Sequence, residues 1–213
     1  MSCSGVWDAD LGMVRLEVSR GPHIRSMGVS IQGRRYLYPE EAVFLLNRHA
    51  LKLPEHLSFA DWIDCLSTAR SLTTPALAAY LYLRDRGFVV IRTRQYDRQL
   101  ALNRHKQALA EHFQRVRDGI AGGADPPIAP DDLALTDATE PLRFCCWLPD
   151  QRERFKASSP DPPQFTIMAI SSQDPVPGHI ETRLDLMPLR MAVHDLNHVS
   201  FVEFKDGAVP TAL

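Results

Sequence analysis

Two stretches of this 213-residue chain constrain its fold more than any others: GRRYLYPEEAVFLLNRHALKL, from Gly33 to Leu53, and PALAAYLYLRDRGFVVIR, from Pro75 to Arg92. Both read as helix. In the first, Pro39 suits a helix start, where its missing N–H costs nothing, and Glu40 and Glu41 fall in the first turn, where unpaired amide donors and the helix dipole favour acids. Ala42, Leu45, Leu46 and His49 or Ala50 then recur at helical spacing. In the second, Thr74 can cap, Pro75 takes the first helical position, and Gly87 stops the helix before the apolar strand Phe88 to Ile91.

The flanking segments are strand-rich. Val14, Leu16 and Val18 alternate with polar residues, so a strand opens the chain, paired with Gly28 to Ile31 in a small sheet. Ser58 followed by Asp61 resembles a capping box for a short helix through Trp62, Ile63 and Leu66. A charged amphipathic helix with Leu102, Leu109, Phe113 and Val116 runs from Asp97 to Arg117. The Gly-, Pro- and Asp-rich residues 119–141 read as a linker. Beyond it come two short apolar strands, residues 142–148 and 165–171. A terminal hairpin follows, residues 189–195 and 199–205 about the turn Leu196-Asn197-His198. Domain boundaries are therefore placed at 1–92, 93–141 and 142–213.

Composition excludes several classes. No stretch approaches the roughly twenty apolar residues of a membrane-spanning helix, and the start of the chain lacks the basic and apolar regions of a signal peptide, so no membrane partner is expected. Cys3, Cys65, Cys145 and Cys146 show no pair at zinc-knuckle spacing; reduced thiols, with Cys145 and Cys146 buried in a strand, are the plain reading. His194 and His198 would suit a metal only on a helix and instead flank a strand turn, so neither metal nor cofactor is expected. His105 and His112 share a helix face, turned to solvent or RNA. Gly119 to Gly123 lacks the Lys-Ser/Thr of a phosphate loop, and no nucleophile elbow is present.

Net charge is only −2, but it is unevenly spread: residues 1–118 hold 17 Lys and Arg against 12 Asp and Glu, and residues 119–213 hold 7 against 14. Ten of the bases lie between Arg70 and Arg117, with three acids among them. A basic half beside an acidic half suits a polyanion for one and a protein partner for the other, with a merely solvated helix face as the plain alternative.

With Met27-Gly28 and Gln32-Gly33 just upstream, the two opening blocks resemble the N-terminal region of the larger structural subunit of the eukaryotic tRNA-splicing endonuclease. That family places a proline and two glutamates at the head of a leucine-rich helix, then a Tyr/Leu-rich helix closing with Arg-Gly-aromatic-Val-Val. The likeness runs from residue 26 to residue 92 without large gaps. Residues 142–213 resemble the tRNA-intron endonuclease catalytic domain. The implied fold is α/β in the mixed α+β sense: a small helix-rich N-terminal domain, then a mixed sheet with flanking helices.

Catalytic members of that family use a tyrosine, a histidine and a lysine to activate the ribose 2′-hydroxyl, protonate the leaving 5′-oxygen and stabilise charge at phosphorus, without metal. On this chain FCCWLPD (Phe144 to Asp150) aligns with the tyrosine strand and puts Trp147 there. Eight residues on, the histidine position holds Phe155. The lysine position falls at Met187 or Pro188. An indole N–H cannot act as a base in water, and losing even one general acid or base costs about 10²- to 10⁴-fold, so no catalytic residue is assigned.

The resemblance implies a non-catalytic scaffold in a heterotetramer with catalytic and structural subunits, acting on precursor tRNA in the nucleus or, alternatively, the cytoplasm. Arg34, Arg35, Arg92, Arg94, Arg98 and Lys106 are candidate RNA contacts, chosen by charge and position. Asp195, matching a docking loop of the family in position, is a candidate subunit contact, as are Val199, Phe201 and Phe204 on a strand apolar on both faces. Family members carry a long insertion after the Arg-Gly-aromatic-Val-Val strand, whereas only about fifty residues, Thr93 to Pro141, stand here. Two rival readings are a free-standing nucleic-acid-binding module and a nuclease with a displaced triad such as Tyr96, His194 and Lys205.

Overall fold

The computed structural model describes residues 2–54, 62, 72–118, 142–174, 188–196, 198–203 and 211–212. The chain is mixed α+β, as expected. Strands β1 (Cys3–Asp8), β2 (Met13–Val18), β3 (Val29–Ile31), β4 (Arg34–Leu37) and β5 (Leu51–Lys52) form one sheet in the order β3-β4-β2-β1-β5. Strands β6 (Val89–Arg92), β7 (Arg143–Trp147), β8 (Phe165–Ser171), β9 (Leu189–Asp195), β10 (His198–Glu203) and β11 (Thr211–Ala212) form a second, in the order β11-β10-β9-β8-β7-β6. Neighbours are antiparallel except β1–β5 and β8–β9.

Helix α1 (Pro39–Asn47) leads from the first sheet, and α2 (Thr74–Asp85) packs between α1 and one face of the second sheet. Three aromatic contacts seat it: Tyr80 on Phe144 at 5.6 Å, Tyr82 on Phe201 at 5.3 Å, and, just past its end, Phe88 on Phe165 at 5.9 Å between ring centroids. Ala76 and Ala79 let the backbone approach closely, so a single apolar core runs from Val14 and Leu37 through Leu45, Tyr80 and Leu83 to Phe144 and Ile167. Helix α3 (Thr93–Arg117) leaves β6 without a break and covers the other face of the second sheet through Tyr96 and Leu100.

Helix α2 ends as its glycine predicts. Gly87 takes φ +88°, its N–H reaching Arg84 O at 3.0 Å and the next N–H, of Phe88, reaching Leu83 O at 3.2 Å. Its N-cap is Thr73 rather than Thr74: Thr73 Oγ1 accepts from the Ala76 N–H at 3.3 Å. Helix α1 ends in the same motif with His49, at φ +53°, in the glycine place.

Several strand assignments change. The opening strand is β1, whose Ser and Gly disguise it. Val29–Ile31 pairs with β4 and not with β2, because Gln32 and Gly33, at φ +49° and +76°, make a two-residue hairpin turn that brings Arg34–Leu37 back as a strand. Residues 34–37, read as helix, are therefore extended. Helix α3 begins at Thr93, four residues before Asp97. The proposed helix from Ser58 and the linker 119–141 lie outside the described residues, apart from Trp62, which is buried and meets Trp7 edge-on at 5.3 Å.

Candidate functional site

The positions aligned with the family's catalytic tyrosine and histidine do meet in space. Trp147, 1% exposed at the end of β7, packs edge-on against Phe155 at 5.0 Å and against Tyr96 of α3 at 5.8 Å. Its indole N–H donates to the Asp161 carbonyl at 2.9 Å. A short 3₁₀ turn, Pro149–Gln151, delivers Phe155, whose N–H reaches Gln151 O at 2.9 Å. Gln99 of α3 donates to Ser158 O at 2.7 Å and Asn103 to the same oxygen at 3.1 Å, tying the helix to the following loop.

The result is an aromatic cluster with one phenol and no base. Tyr96 is itself buried, which raises its pKa, as does Cys145 nearby. The third position, Pro188, is exposed just before β9 and uses its carbonyl to accept from the Thr166 N–H at 3.0 Å; Met187 lies outside the described residues. Of the displaced triad, Tyr96 sits against β7 and His194 on β9, two strands over, while Lys205 lies outside the described residues. Burial pushes the Cys145 thiol up to about 12 and the Cys146 thiol well above its ordinary value, so both are inert packing groups. Among the described residues no group of three or more His, Cys, Asp or Glu is arranged to hold a metal, and no helix is long and apolar enough to cross a membrane.

The basic half sorts itself by burial. Arg92 is 4% exposed, and its guanidinium grips Glu40 by two bonds of 2.7 Å while lying over the Tyr38 ring at 4.2 Å. Burial pulls its pKa down, but the Glu40 carboxylate more than offsets this and holds it raised. Arg92 is thus a core ion pair, not a surface available to RNA. Arg35 is half-buried and donates to the Ile24 carbonyl and to the Met27 carbonyl at 2.6 Å, pinning the turn before β3; burial lowers its pKa. Arg34 and Lys106 are exposed, whereas Arg94 and Arg98 are half-buried on α3.

Beside Glu40, the fully buried Glu41 receives the Gly28 and Tyr38 N–H groups at 2.9 Å each. Burial and the neighbouring Glu40 raise its pKa to about 7 against the pull of those two donors and Arg84. Gly28 also accepts from the Gln95 side chain at 3.0 Å. At φ +78°, a Cβ there would lie 2.6 Å from Tyr36 O, so only glycine fits. The two acids that the helix dipole explains locally are therefore the hub joining α1, β6, α3 and the turn at Gly28. The Met27-Gly28 motif was a visible signal for that hub, but its meaning was not.

At the other end, Asp195 is exposed and accepts from Ser172 Oγ at 3.1 Å. Leu196 beyond it is 84% exposed with φ +47°. Val199 and Phe201 are half-buried and packed inward on the core, Phe201 on Tyr82, so they secure the hairpin within the chain. Phe204 lies outside the described residues.

Residues 2–54 match the family model described as tRNA-splicing endonuclease subunit sen54 N-term. This segment is similar to that family's N-terminal region. It holds β1 to β5 and α1, and with them Gly28, Glu40 and Glu41 of the buried hub. The chain is also similar to tRNA-splicing endonuclease subunit Sen54 of Mus musculus, at 31% identity over 114 residues, which is 49% of this chain and 22% of that relative. The chain thus spans less than a quarter of the relative's length. The match contains the first of the two opening blocks and reaches upstream of it to residue 2, and the relative is the kind of subunit that the resemblance named.

Proposed function

We propose that this chain is a non-catalytic subunit of a tRNA-splicing endonuclease, needed to assemble the complex and to position pre-tRNA for cleavage at the splice sites. The observation that carries the reading is the aromatic contact at 5.0 Å between Trp147 and Phe155. At the places where the resemblance puts a tyrosine and a histidine, these two side chains fill the space and neither can exchange a proton at neutral pH. The similarity of residues 2–54 to the Sen54 N-terminal family supports the choice of subunit. Catalytic subunits of the complex would be its protein partners, docking at Asp195 and the hairpin tip; the basic half would face the tRNA body, and the nucleus is the proposed compartment.

The test is cleavage of intron-containing pre-tRNA in EDTA by this chain alone, by its partner subunits without it, and by the full set co-expressed. Activity only in the full set is expected. Cleavage by the chain alone would overturn the non-catalytic reading, and equal cleavage with or without it would leave a free-standing nucleic-acid-binding protein.

A further inference from the structure

Strands β9 and β10 are joined by two residues, since Asp195 pairs with His198. Two-residue hairpin loops need left-handed backbone and so favour asparagine, aspartate and glycine. The first loop residue here is Leu196, at φ +47°. Among the described residues the other non-glycine positions with positive φ are Gln32 and His49, both polar, so the leucine stands apart. It is also 84% exposed, more than any other large apolar side chain among the described residues. One exposed leucine is ordinary on a protein surface. One that also holds a left-handed backbone, where a polar turn residue or glycine would sit with less strain, is not. The acids beside it are fixed in place. Asp195 accepts from Ser172 Oγ at 3.1 Å, and the Ser172 N–H reaches His194 O at 2.9 Å, so the turn after β8 is laced to the hairpin tip. Asp174 in that turn accepts from the Ser171 N–H at 2.9 Å. Residues 171–174 and 194–198 hold these two acids and neither lysine nor arginine.

We infer that Leu196 is the anchor of a docking knob: an apolar side chain, flanked by Asp195 and Asp174, that enters an apolar pocket rimmed by lysine or arginine on a catalytic subunit. The inference rests on the function proposed above, which puts a partner subunit at this tip, and it assigns the apolar centre of the contact to a residue that charge alone does not select. The acids fit a cationic rim and repel phosphate, which disfavours RNA and an anionic lipid surface. A second copy offering the same tip would set acid against acid. Protein interfaces place a desolvated apolar anchor inside a polar rim, and the tip carries that arrangement in small. Strain held at a binding residue also gives the anchor a signature: relieving it should help the fold and harm the contact.

The experiment compares three variants of the full chain for melting temperature and for binding to the catalytic subunits. Leu196→Gly removes the anchor and the strain together, Leu196→Met keeps the apolar bulk, and His49→Gly relieves the same backbone region at another exposed residue. Leu196→Gly is expected to bind at least about tenfold more weakly while melting no lower than wild type. Leu196→Met should stay within about threefold of wild type, and His49→Gly should bind as wild type does. Leu196→Gly binding as tightly as wild type, or His49→Gly losing as much, would overturn the anchor. A melting temperature that falls together with binding in Leu196→Gly would overturn it too, marking the leucine as structural. If Asp195→Arg loses the catalytic subunits and Leu196→Gly does not, the anchor fails while the subunit reading stands. If the chain proves dispensable for pre-tRNA cleavage yet Leu196→Gly alone loses binding to the catalytic subunits, the subunit reading fails and the anchor stands.

Discussion

Arg92 and Glu40, 52 residues apart in sequence, face each other in the core through two parallel hydrogen bonds of 2.7 Å. The pair ties the end of β6 to the first turn of α1, and hence residues 2–54 to the second sheet. Removing one partner leaves the other charged and buried, a loss of about 3–5 kcal/mol. Arg92→Gln should therefore lower the urea midpoint sharply, while the salt slope of RNA binding by the folded fraction stays unchanged. A reduced slope at unchanged stability would return Arg92 to the RNA surface.

Glu41 makes stability pH-dependent. Its pKa is raised to about 7 in the folded chain from an ordinary 4.5, so between those values the native state holds a proton that the unfolded chain has lost. Its contribution is complete below pH about 4.5 and lost as pH rises through about 7, on the order of 3 kcal/mol. Urea midpoints measured from pH 5 to 8 should fall with rising pH, and Glu41→Gln, which cannot titrate, should lose that component. An identical slope in the two proteins would contradict the assignment.

His49 occupies the left-handed position that closes α1, with its side chain exposed. Glycine adopts that backbone without the steric cost a β-carbon brings. His49→Gly should raise stability by about 0.5–1 kcal/mol, read as a higher melting temperature with no change in RNA binding.

Restoring residue types at two aromatic positions should not restore chemistry. Trp147→Tyr with Phe155→His supplies two of three groups, but the indole N–H bond to Asp161 is lost, Pro188 still stands at the third position, and Tyr96 still crowds the site. Pre-tRNA incubated in EDTA with this variant alone should remain uncut. Products ending in 2′,3′-cyclic phosphate would show that the site is only two substitutions from an enzyme.

Asp195 and Phe201 should separate by assay. Asp195 is exposed at the hairpin tip, so Asp195→Arg should weaken co-purification with the partner subunits about tenfold or more while leaving the melting temperature within a degree or so. Phe201 packs on Tyr82, so Phe201→Ala should cost about 2–3 kcal/mol of stability before any effect on assembly. Unchanged co-purification of Asp195→Arg would remove the tip from the interface.

The sequence by itself determined the elements whose causes are local. Pro39 started α1, Gly87 ended α2, and residues 189–203 made a hairpin, because each depends on neighbours within a few residues. The Trp147 and Phe155 positions came from the resemblance alone, and the contact between their rings is what the fold adds. What only the tertiary structure decided was where each polar group went. Arg92 and Lys106 are alike as basic residues in one sequence window, yet one is sealed against Glu40 and the other stands in solvent. Glu40 and Glu41 satisfied a helix start on paper, and only the packing of α1, β6 and α3 turned them into a buried hub. Residues 34–37 fell inside a block read as helix although they precede Pro39, and the paired left-handed residues Gln32 and Gly33 fold them back as β4. Short-range sterics write turns and caps into adjacent residues; burial and charge pairing depend on which distant segments meet, and no local window contains that information.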